Sequence, residues 1–483
     1  MKNYCSFLLF LSLWACKDVA YLTPEQVKIP SSYTEDAPLI AQDSLTPSDS
    51  TILDSYRFFF KDSLLVALID TALAQNQDIS IALARLEQTR AGITLTNGIR
   101  LPDAGVIFNN GVRKFGAYTV DGVGNYDTQF SPNLSDLQQI PNLVPEFYVG
   151  IYSSWEIDLW GKLKQQKKAA LQRYLSSEEA KNMILSGVVS ELSHAYFTLV
   201  TLDRELQIIR QHIALQESSL AMVEAQLLSG HTTALAIQLL SAQLLNAKHL
   251  LIEVEQQILE RENTINRLLG RYPTPIRRTD AAIDHTATAA LSSGVPATLL
   301  QRRPDIRSAE HSLLASNADL KSARAAFYPT LLLTGTMGLQ SFRASVFFDL
   351  PASLAFNVLG GLTQPLLNRR QLKAQLMEQN GRQKEAYIVY EKTILNAFSE
   401  VYQLLQLQEN LQKMTALKEE EVRNLTASVN SAKDLFFSGR CTYLEINTAQ
   451  AKLLETQIEL NNLWQRIQLN QINLYKAIGG AWY

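Results

Sequence analysis

Residues 185–228 read LSGVVSELSHAYFTLVTLDRELQIIRQHIALQESSLAMVEAQLL, and this stretch decides the fold. Apolar side chains recur along it at alternating steps of three and four residues, and the rhythm breaks only at Gln216. A sustained period of about 3.5 residues predicts a helix that supercoils left-handedly against a partner. The same period resumes after Gly230 and continues to Leu268, so the next helix along the chain is the predicted partner.

The helix that contains this stretch is predicted to be unusually long. It extends from about residue 161 to residue 228, which corresponds to roughly 100 Å at a rise of about 1.5 Å per residue. Helices predicted at residues 61–100 and 235–269 are each near half that length. Stacked end to end, these two helices could lie beside the long helix along its whole length. The sequence therefore predicts a long helical bundle, and its helices are here called struts.

The chain contains the same structural unit twice. At an offset of 227, residues 78–111 match residues 305–338 without a gap, and at an offset of 209, residues 164–270 match residues 373–479. The two offsets differ by 18, so the first copy holds 18 extra residues between its two matched stretches. An insertion of that size is predicted to lie in a loop.

Each copy also contains two segments rich in aromatic and β-branched residues with glycine, which predict strands. They are residues 106–112 and 147–157 in the first copy and residues 330–339 and 353–362 in the second. Four strands cannot close a barrel, yet strands that enter lipid must close because every backbone group has to be paired. Several chains are therefore predicted to share one barrel. The connection at residues 116–146 would hold the extra residues as a mobile external loop.

The N-terminus has the pattern of a secretory signal. Residues 1–15 begin with a basic residue and contain an apolar stretch, residues 7–15, that is too short to span a bilayer. Residues 13–16, LWAC, resemble the bacterial lipobox, so Cys16 is predicted to carry lipid, such as palmitate, at the mature N-terminus. The lipidated segment over residues 16–60 is predicted to be extended, and its acyl chains would anchor the protein. An ordinary signal with an incidental cysteine is the alternative.

The composition argues against several other classes of protein. The net charge of -3 and the pI of about 6.1 provide no positive surface for nucleic acid. No apolar run approaches the ~20 residues of a spanning helix. The sequence has no HExxH, GxSxG, P-loop or CxxC motif, and Gly122-Val123-Gly124 lies in a predicted loop with no following helix. We predict neither an enzymatic activity nor a cofactor other than the lipid.

The histidines do not form a metal site either. His194, His212, His231 and His249 recur at intervals of 18 or 19 residues. Residues that far apart on one helix are separated by ~27 Å, so they cannot share a metal ion. We predict that they occupy surface or lumen positions.

Three motifs carry a family resemblance. Residues 302–310 read RRPDIRSAE, residues 326–335 read AFYPTLLLTG, and residues 158–162 read DLWGK. Together they resemble the TolC-like outer membrane efflux proteins, in particular the lipoprotein branch that serves resistance-nodulation-division pumps. The resemblance covers nearly the whole mature chain. In the first motif, Asp305 is predicted to cap the helix that begins beside it.

The resemblance implies a mainly α fold with a membrane β-barrel, built from two tandem repeats. A homotrimer would share a barrel of twelve strands in the outer membrane, continued by a periplasmic tunnel of twelve helices. Residues 61–270 would form the first efflux repeat, residues 271–298 a linker, and residues 299–483 the second repeat and the C-terminal end. The implied function is the exit duct of a tripartite efflux system.

The implied partners are a periplasmic membrane-fusion adaptor and an inner-membrane resistance-nodulation-division transporter. In this family two helix turns form the periplasmic end of the tunnel, contact the adaptor and close the pore. Acidic residues near these turns ring the constriction in relatives, and Glu445 has that place here. A solvated glutamate on an exposed helix is the alternative. The residues that correspond to the adaptor-contact turns are Ser229, Gly230, Thr233, Leu235, Ser438, Gly439, Arg440, Thr442 and Leu444.

A lipid-anchored periplasmic coiled-coil scaffold without a pore is the competing hypothesis. It would explain the heptads and Cys16. It would not explain strand segments with glycine at equivalent places in both copies, and a membrane-embedded, heat-modifiable oligomer would argue against it.

Overall fold

The computed structural model describes residues 21–27, 56–228, 230, 232–278, 302–364 and 369–480. The predictions for the signal peptide, for Cys16 and for most of the linker concern residues outside these ranges. The described part forms two compact units. The sheet unit comprises residues 21–23, 88–174 and 311–387, and the remaining residues form the helical unit.

Among the described residues, both copies contain the same series of one helix, two strands and two long helices, and the first copy has further short helices. The helices are α1 Tyr56–Phe59, α2 Ser63–Gln75, α3 Gln77–Gly98, α4 Val120–Asp127, α5 Lys162–Leu228, α6 Ala234–Leu268, α7 Pro304–Ala325, α8 Arg369–Phe437 and α9 Tyr443–Ala477. The strands are β1 Asp103–Arg113, β2 Val144–Ile157, β3 Thr330–Ser341 and β4 Leu354–Thr363.

The four predicted strands form one sheet in the order β1-β2-β3-β4, and every neighbouring pair is antiparallel. Each strand contains nearly all of the segment predicted for it and three of the four extend several residues further. Within the described chain, β1 and β4 are the edges of this sheet. The sheet is therefore an open, meandering ribbon of four strands.

Two predictions about the first copy are corrected by the structure. The single helix predicted over residues 61–100 is two helices, because the chain turns at Asn76, whose Oδ1 accepts hydrogen bonds from the backbone N–H groups of Asp78 and Ile79. The predicted loop contains helix α4, which begins where the Thr119 hydroxyl accepts from the N–H of Gly122 at 3.1 Å. A side chain cap can start a short helix even where glycines lower its propensity.

The core of the helical unit lies where helix α5 passes α1, α2 and α9. Tyr196 of α5 is completely buried, and its hydroxyl donates to Oδ2 of Asp62 at 2.6 Å. Phe59 stacks on Tyr475, with ring centroids 4.2 Å apart. The predicted heptad residues Val188, Leu192, Ala195 and Leu199 of α5 are buried in this core, together with aliphatic side chains from α2 and α6. The heptad pattern therefore identifies the buried stripe of this helix.

Helices α5 and α6 each contain an 18-residue window with a mean hydropathy of 1.3, so both are long and apolar enough to cross a membrane. The prediction that no stretch approaches this length and composition was therefore too strict. Heptad leucines raise the mean hydropathy of a coiled-coil helix, and 56% of the α5 window is buried against other parts of the chain. We interpret both helices as coiled-coil struts.

Polar groups interrupt this core where the heptad rhythm breaks. Gln216 is 4% exposed and His212, one turn earlier, is 8% exposed. The prediction that His212 lies on the surface or in the lumen is therefore wrong, because it shares the inward face of α5 with the heptad residues. Burial lowers the pKa of His212.

Candidate functional site

One face of the sheet is apolar and open. Val106, Ile151, Met337 and Phe356 are direct cross-strand neighbours on β1, β2, β3 and β4. Their exposed fractions are 67%, 59%, 58% and 77%, although all four are large apolar side chains. An exposed apolar row across every strand is typical of the lipid-facing side of a membrane barrel.

The opposite face is polar and rich in glycine. Tyr152, Thr336 and Asn357 are cross-strand neighbours on this face, and Gly105 completes the row on β1. A Cβ atom at Gly105 would lie 2.5 Å from Cε1 of Tyr152, so the tyrosine ring occupies the space that a side chain at Gly105 would need. This face can contact water along the sheet. Alternation of apolar and polar residues along each strand fits the wall of a water-filled barrel.

The backbones of β2 and β3 approach most closely where two glycines face each other. Gly150 and Gly338 are register partners. A Cβ atom at Gly338 would lie 2.3 Å from the carbonyl oxygen of Val149 and 2.5 Å from Cα of Gly150. Real Cβ atoms do not approach other atoms so closely, so the sheet requires glycine at this position.

Most charged side chains on the strands are paired. Arg113 and Glu146 form an ion pair at 3.1 Å across β1 and β2, and Glu156 at the end of β2 pairs with Lys162 at 2.5 Å. Exposed pairs of this kind contribute little stability. They leave the polar face of the sheet close to neutral.

Two tryptophans mark the end of the sheet at which β2 meets helix α5. The indole N–H of Trp155 donates to the carbonyl of Arg100 at 3.0 Å, and that of Trp160 donates to the carbonyl of Pro329 at 2.8 Å. The ring of Trp160 stacks on Tyr328, with centroids 5.0 Å apart. Both indoles lie where strand β2 meets helix α5, and indoles favour the boundary between lipid and water.

The two helix turns lie in the helical unit, where the structure brings them together. Gly230 and Gly439 occupy the turns with φ angles of 76° and 69°. A positive φ favours glycine, which explains the Ser-Gly pair in both copies. An apolar cluster from all four neighbouring helices packs the turns against each other. Its buried members are Val223, Ala236, Leu240, Phe436 and Ile446.

The predicted adaptor-contact residues surround these turns. Leu235 and Leu444, which match at the offset of 209, are 60% and 55% exposed, so each hairpin presents an apolar side chain to solvent. The Ser438 hydroxyl donates to the carbonyl of Leu435, and the Arg440 N–H donates to the same carbonyl at 2.8 Å. Thr233 and Thr442 are the residues before α6 and α9. Ser229 lies outside the described residues.

Glu445 forms a capping box at the start of α9. Its carboxylate accepts hydrogen bonds from the backbone N–H of Thr442 at 3.0 Å and from the Thr442 hydroxyl. The hydroxyl bond lowers the pKa of the Glu445 carboxyl, so it is ionised at neutral pH. This bonding was not predicted, although Thr-x-x-Glu at a helix start is its known sequence signature. The first copy has Ala236 at this place, and Thr233 makes no side-chain capping bond.

Arg303, in the RRPD motif, ties together three helices of the helical unit. Its guanidinium donates to the carbonyl of Ala477 at the end of α9 at 2.9 Å, to Glu400 of α8 at 2.7 Å and to Asp305 of α7 at 2.8 Å. Burial by itself lowers the pKa of Arg303, but bonds and charges from the two carboxylates outweigh it and raise the pKa. Asp305 does not cap α7 as predicted, because Pro304 already occupies the first helical position.

The bonds of Arg303 to three helices are here called the clamp, and the first copy has an uncharged counterpart of it. Asn76 precedes Arg303 by 227 residues, and Leu268 precedes Ala477 by 209 residues, which are the two repeat offsets. The side-chain amide of Asn76 donates to the carbonyl of Leu268 at 2.8 Å. In both copies the residue directly before a matched helix, α3 or α7, therefore bonds to the last residue of the second long helix, α6 or α9.

The N-terminal segment is held in the sheet unit by a cationic cage. The Tyr21 ring has the ammonium nitrogen of Lys321 4.8 Å and the guanidinium carbon of Arg324 4.5 Å from its centroid. Arg324 also donates to the tyrosine hydroxyl at 2.5 Å, and Asn317 donates to the carbonyl of Leu22 at 2.8 Å. Cation–π contacts and hydrogen bonds together fix this segment on α7.

Comparisons with known proteins agree with this geometry. The model of the outer membrane efflux protein family matches residues 68–271 and 295–480. The probable outer membrane lipoprotein SilC of Salmonella typhimurium is 29% identical over 466 residues, which cover 95% of each chain. The solvent efflux pump outer membrane protein SrpC of Pseudomonas putida is 30% identical over 440 residues, covering 90% of this chain and 89% of SrpC.

A cation efflux relative has a solved structure. The cation efflux system protein CusC of Escherichia coli K12 is 29% identical over 426 residues, covering 88% of each chain. A crystal structure of CusC, solved to describe folding and transmembrane channel formation, superposes with a TM-score of 0.82 at 26% identity, covering 96% of this chain and 99% of CusC. The superposition on CusC agrees with the family fold. The match of the family model to residues 68–271 and 295–480 shows that this chain belongs to the outer membrane efflux protein family.

Proposed function

We propose that this protein is the exit duct of a tripartite efflux system and conducts small molecules passively to the exterior. The observation that carries the proposal is the sheet with one exposed apolar face and one polar face, joined to coiled-coil struts in an outer membrane efflux protein. A wall between lipid and water needs these two faces. The protein is a channel of the outer membrane, not an enzyme.

Three copies would complete the barrel. Strands β1 and β4 have 11 and 10 residues, lengths that suit a membrane strand, and both are unpaired at one edge in the described chain. Unpaired backbone groups in lipid cost several kcal/mol each, so β4 of one copy would pair with β1 of the next. The family fold supports three copies, which give twelve strands, and the repeats at residues 61–270 and 299–483 would each contribute half of a protomer's share.

The partners of the duct are a periplasmic adaptor and an inner-membrane transporter, here of the resistance-nodulation-division type. The turns around Gly230 and Gly439 offer the adaptor equivalent surfaces. Leu235 and Leu444 support this role because apolar side chains exposed at matching positions of two hairpins are suited to a partner helix. The remaining predicted contact residues flank these leucines.

Lipid on Cys16 would anchor the N-terminal segment. Tyr21 lies only five residues after Cys16, and a chain of five residues spans at most about 18 Å. The cage is close to the end of the sheet that carries the tryptophans, since Arg324 precedes β3 by six residues. Acyl chains on Cys16 would therefore reach the lipid beside the barrel.

Cys16→Ser is expected to abolish incorporation of radiolabelled palmitate into the mature protein. Cys441→Ser is the matched control, since Cys441 is the other cysteine that remains after signal cleavage, and it should leave labelling unchanged. Labelling of the Cys16→Ser variant at the level of the parent protein would show that the lipidation site is elsewhere.

Glu445 is proposed to place a ring of three carboxylates at the periplasmic constriction, where it would favour cations. Because Glu445 also closes a capping box, two substitutions separate the two roles. Glu445→Gln keeps a capping partner and removes the charge, whereas Glu445→Ala removes both. If the Glu445 carboxylates line the constriction, we expect Glu445→Gln to raise single-channel conductance or to weaken block by cations in a planar bilayer. If the currents of Glu445→Gln are unchanged and only Glu445→Ala has lower stability, Glu445 caps helix α9 and has no role in the pore.

The conduction proposal itself is tested with purified, full-length mature protein in planar lipid bilayers. We expect discrete unitary ion currents and a membrane-embedded oligomer whose gel migration changes on heating. A scaffold without a pore would insert no channel and give no unitary currents at any voltage, and that result would reject the duct.

A further inference from the structure

Basic side chains are concentrated where helices follow the sheet at one of its ends. Strand β2 ends at Ile157 and strand β4 ends at Thr363. The register places both at the same end of the sheet, because Ile157 faces Leu331 and Thr363 faces Thr330 at the start of β3. Helix α5 begins five residues after β2 and helix α8 six residues after β4. Their first turns carry seven basic residues. The five exposed ones are here called the basic collar and are Lys164, Lys168, Arg369, Arg370 and Lys373.

The collar residues are exposed, and no ion pair involving them occurs among the described residues. Nearby basic residues differ in this respect, since Lys162 pairs with Glu156 and Arg173 pairs with Asp319. Asp158 does not neutralise the collar through a side-chain pair, because its carboxylate accepts from backbone N–H groups at the start of α5. No ion pair among the described residues therefore compensates the positive charge of the collar.

The other end of the sheet has the opposite balance. The connection between β1 and β2, residues 114–143, and the connection between β3 and β4, residues 342–353, together contain two basic and four acidic residues. The sheet thus separates a basic end from an acidic end. A single-sign cluster beside membrane-spanning strands attracts charges of the opposite sign over a distance of about 8 Å at physiological salt.

We propose that the basic collar binds the anionic headgroups of phospholipids in the periplasmic leaflet of the outer membrane. The inference rests on the outer-membrane placement of the sheet, whose apolar face locates the lipid. The helices leave the sheet at the collar end, and Trp155 and Trp160 place the lipid boundary there. Headgroup phosphates at that boundary are within reach of long lysine and arginine side chains, which extend readily toward an interface.

The inference is tested by native mass spectrometry of the full-length mature protein released from nanodiscs. One nanodisc preparation contains phosphatidylcholine alone, and the other contains phosphatidylcholine with phosphatidylglycerol. The variants are Lys164→Gln/Lys168→Gln and Arg369→Gln/Arg370→Gln. Lys384→Gln/Lys392→Gln is the matched control, because these exposed lysines lie farther along α8 from the sheet. We expect preferential retention of phosphatidylglycerol by the parent and the control, and a loss of that preference of about tenfold or more in each collar variant.

A second measurement uses the parent protein alone, so it tests the proposal even if a collar variant fails to assemble. Retention of phosphatidylglycerol by the parent protein should fall as sodium chloride is raised, because the attraction is electrostatic. Inorganic phosphate at equal ionic strength should displace no more lipid than chloride does. Equal retention of both lipids by the parent, retention unaffected by salt, or full displacement by inorganic phosphate would each overturn the proposal. Unitary currents recorded from the same preparation test conduction independently, so failure of the duct and failure of the collar are distinguishable.

Discussion

Arg303→Ala is expected to lower the free energy of unfolding of the helical unit by about 3 kcal/mol. The guanidinium bonds to Ala477, Glu400 and Asp305, and its side chain is only 12% exposed. Its removal leaves a helix-end carbonyl and a partly buried carboxylate without their partner, and uncompensated groups of this kind dominate the cost of breaking a buried pair. Thermal unfolding followed by far-ultraviolet circular dichroism measures the effect.

Two further variants show whether the clamp geometry is responsible. Arg303→Lys keeps the charge but cannot form several directed bonds at once, so we expect an intermediate loss. Arg466→Ala, at an exposed position of α9, is expected to change the unfolding free energy by no more than about 0.5 kcal/mol. If Arg303→Ala unfolds like the Arg466→Ala control, the RRPD motif has no clamping role.

Gly338→Ala is expected to prevent assembly of the sheet. The new methyl group would lie 2.3 Å from the Val149 carbonyl oxygen and 2.5 Å from Cα of Gly150, so strands β2 and β3 would have to separate. Overpacking against backbone cannot be relieved by side-chain movement, and we expect a cost of about 3 kcal/mol or more. The measurement is the amount of heat-modifiable oligomer recovered from outer membranes, which should be nearly abolished.

Gly335→Ala is the matched control on the same strand. A Cβ atom at Gly335 would meet its nearest neighbour, the Asn357 carbonyl oxygen, at 3.5 Å, which is an ordinary contact. We expect normal amounts of oligomer from this variant. Equal recovery of Gly338→Ala and Gly335→Ala oligomers would mean that β2 and β3 do not pair in the register described.

The periodic features of this fold could be predicted from sequence. Heptad spacing from Leu185 to Leu227 identified the long strut, because a helix core repeats on a fixed period. The two offsets located equivalent elements in both copies, and glycine-rich β-branched segments located all four strands. Residue alternation on those strands also separates the lipid face from the polar face once the register is known. These signals are local or repeat along the chain.

The remaining features depend on contacts between distant residues or on caps that compete with propensity. Arg303 and Ala477 are 174 residues apart, and the sequence does not indicate that one bonds to the other. The break at Asn76 and the helix after Thr119 arise from single side-chain caps within patterns that suggested a continuous helix and a loop. For Glu445, the capping-box signature is present in the sequence. The family resemblance led to a prediction of a pore residue instead of a helix cap.

The central claim is that three chains share one barrel continued by a tunnel of struts. Single-particle imaging of the full-length mature protein in lipid nanodiscs tests it most directly. We predict a particle with three-fold symmetry, twelve strands in the lipid with β4 of each copy paired to β1 of the next, and a tail of roughly 100 Å, the length expected of helix α5. A monomeric particle, or one whose sheet lies outside the lipid, would contradict the claim.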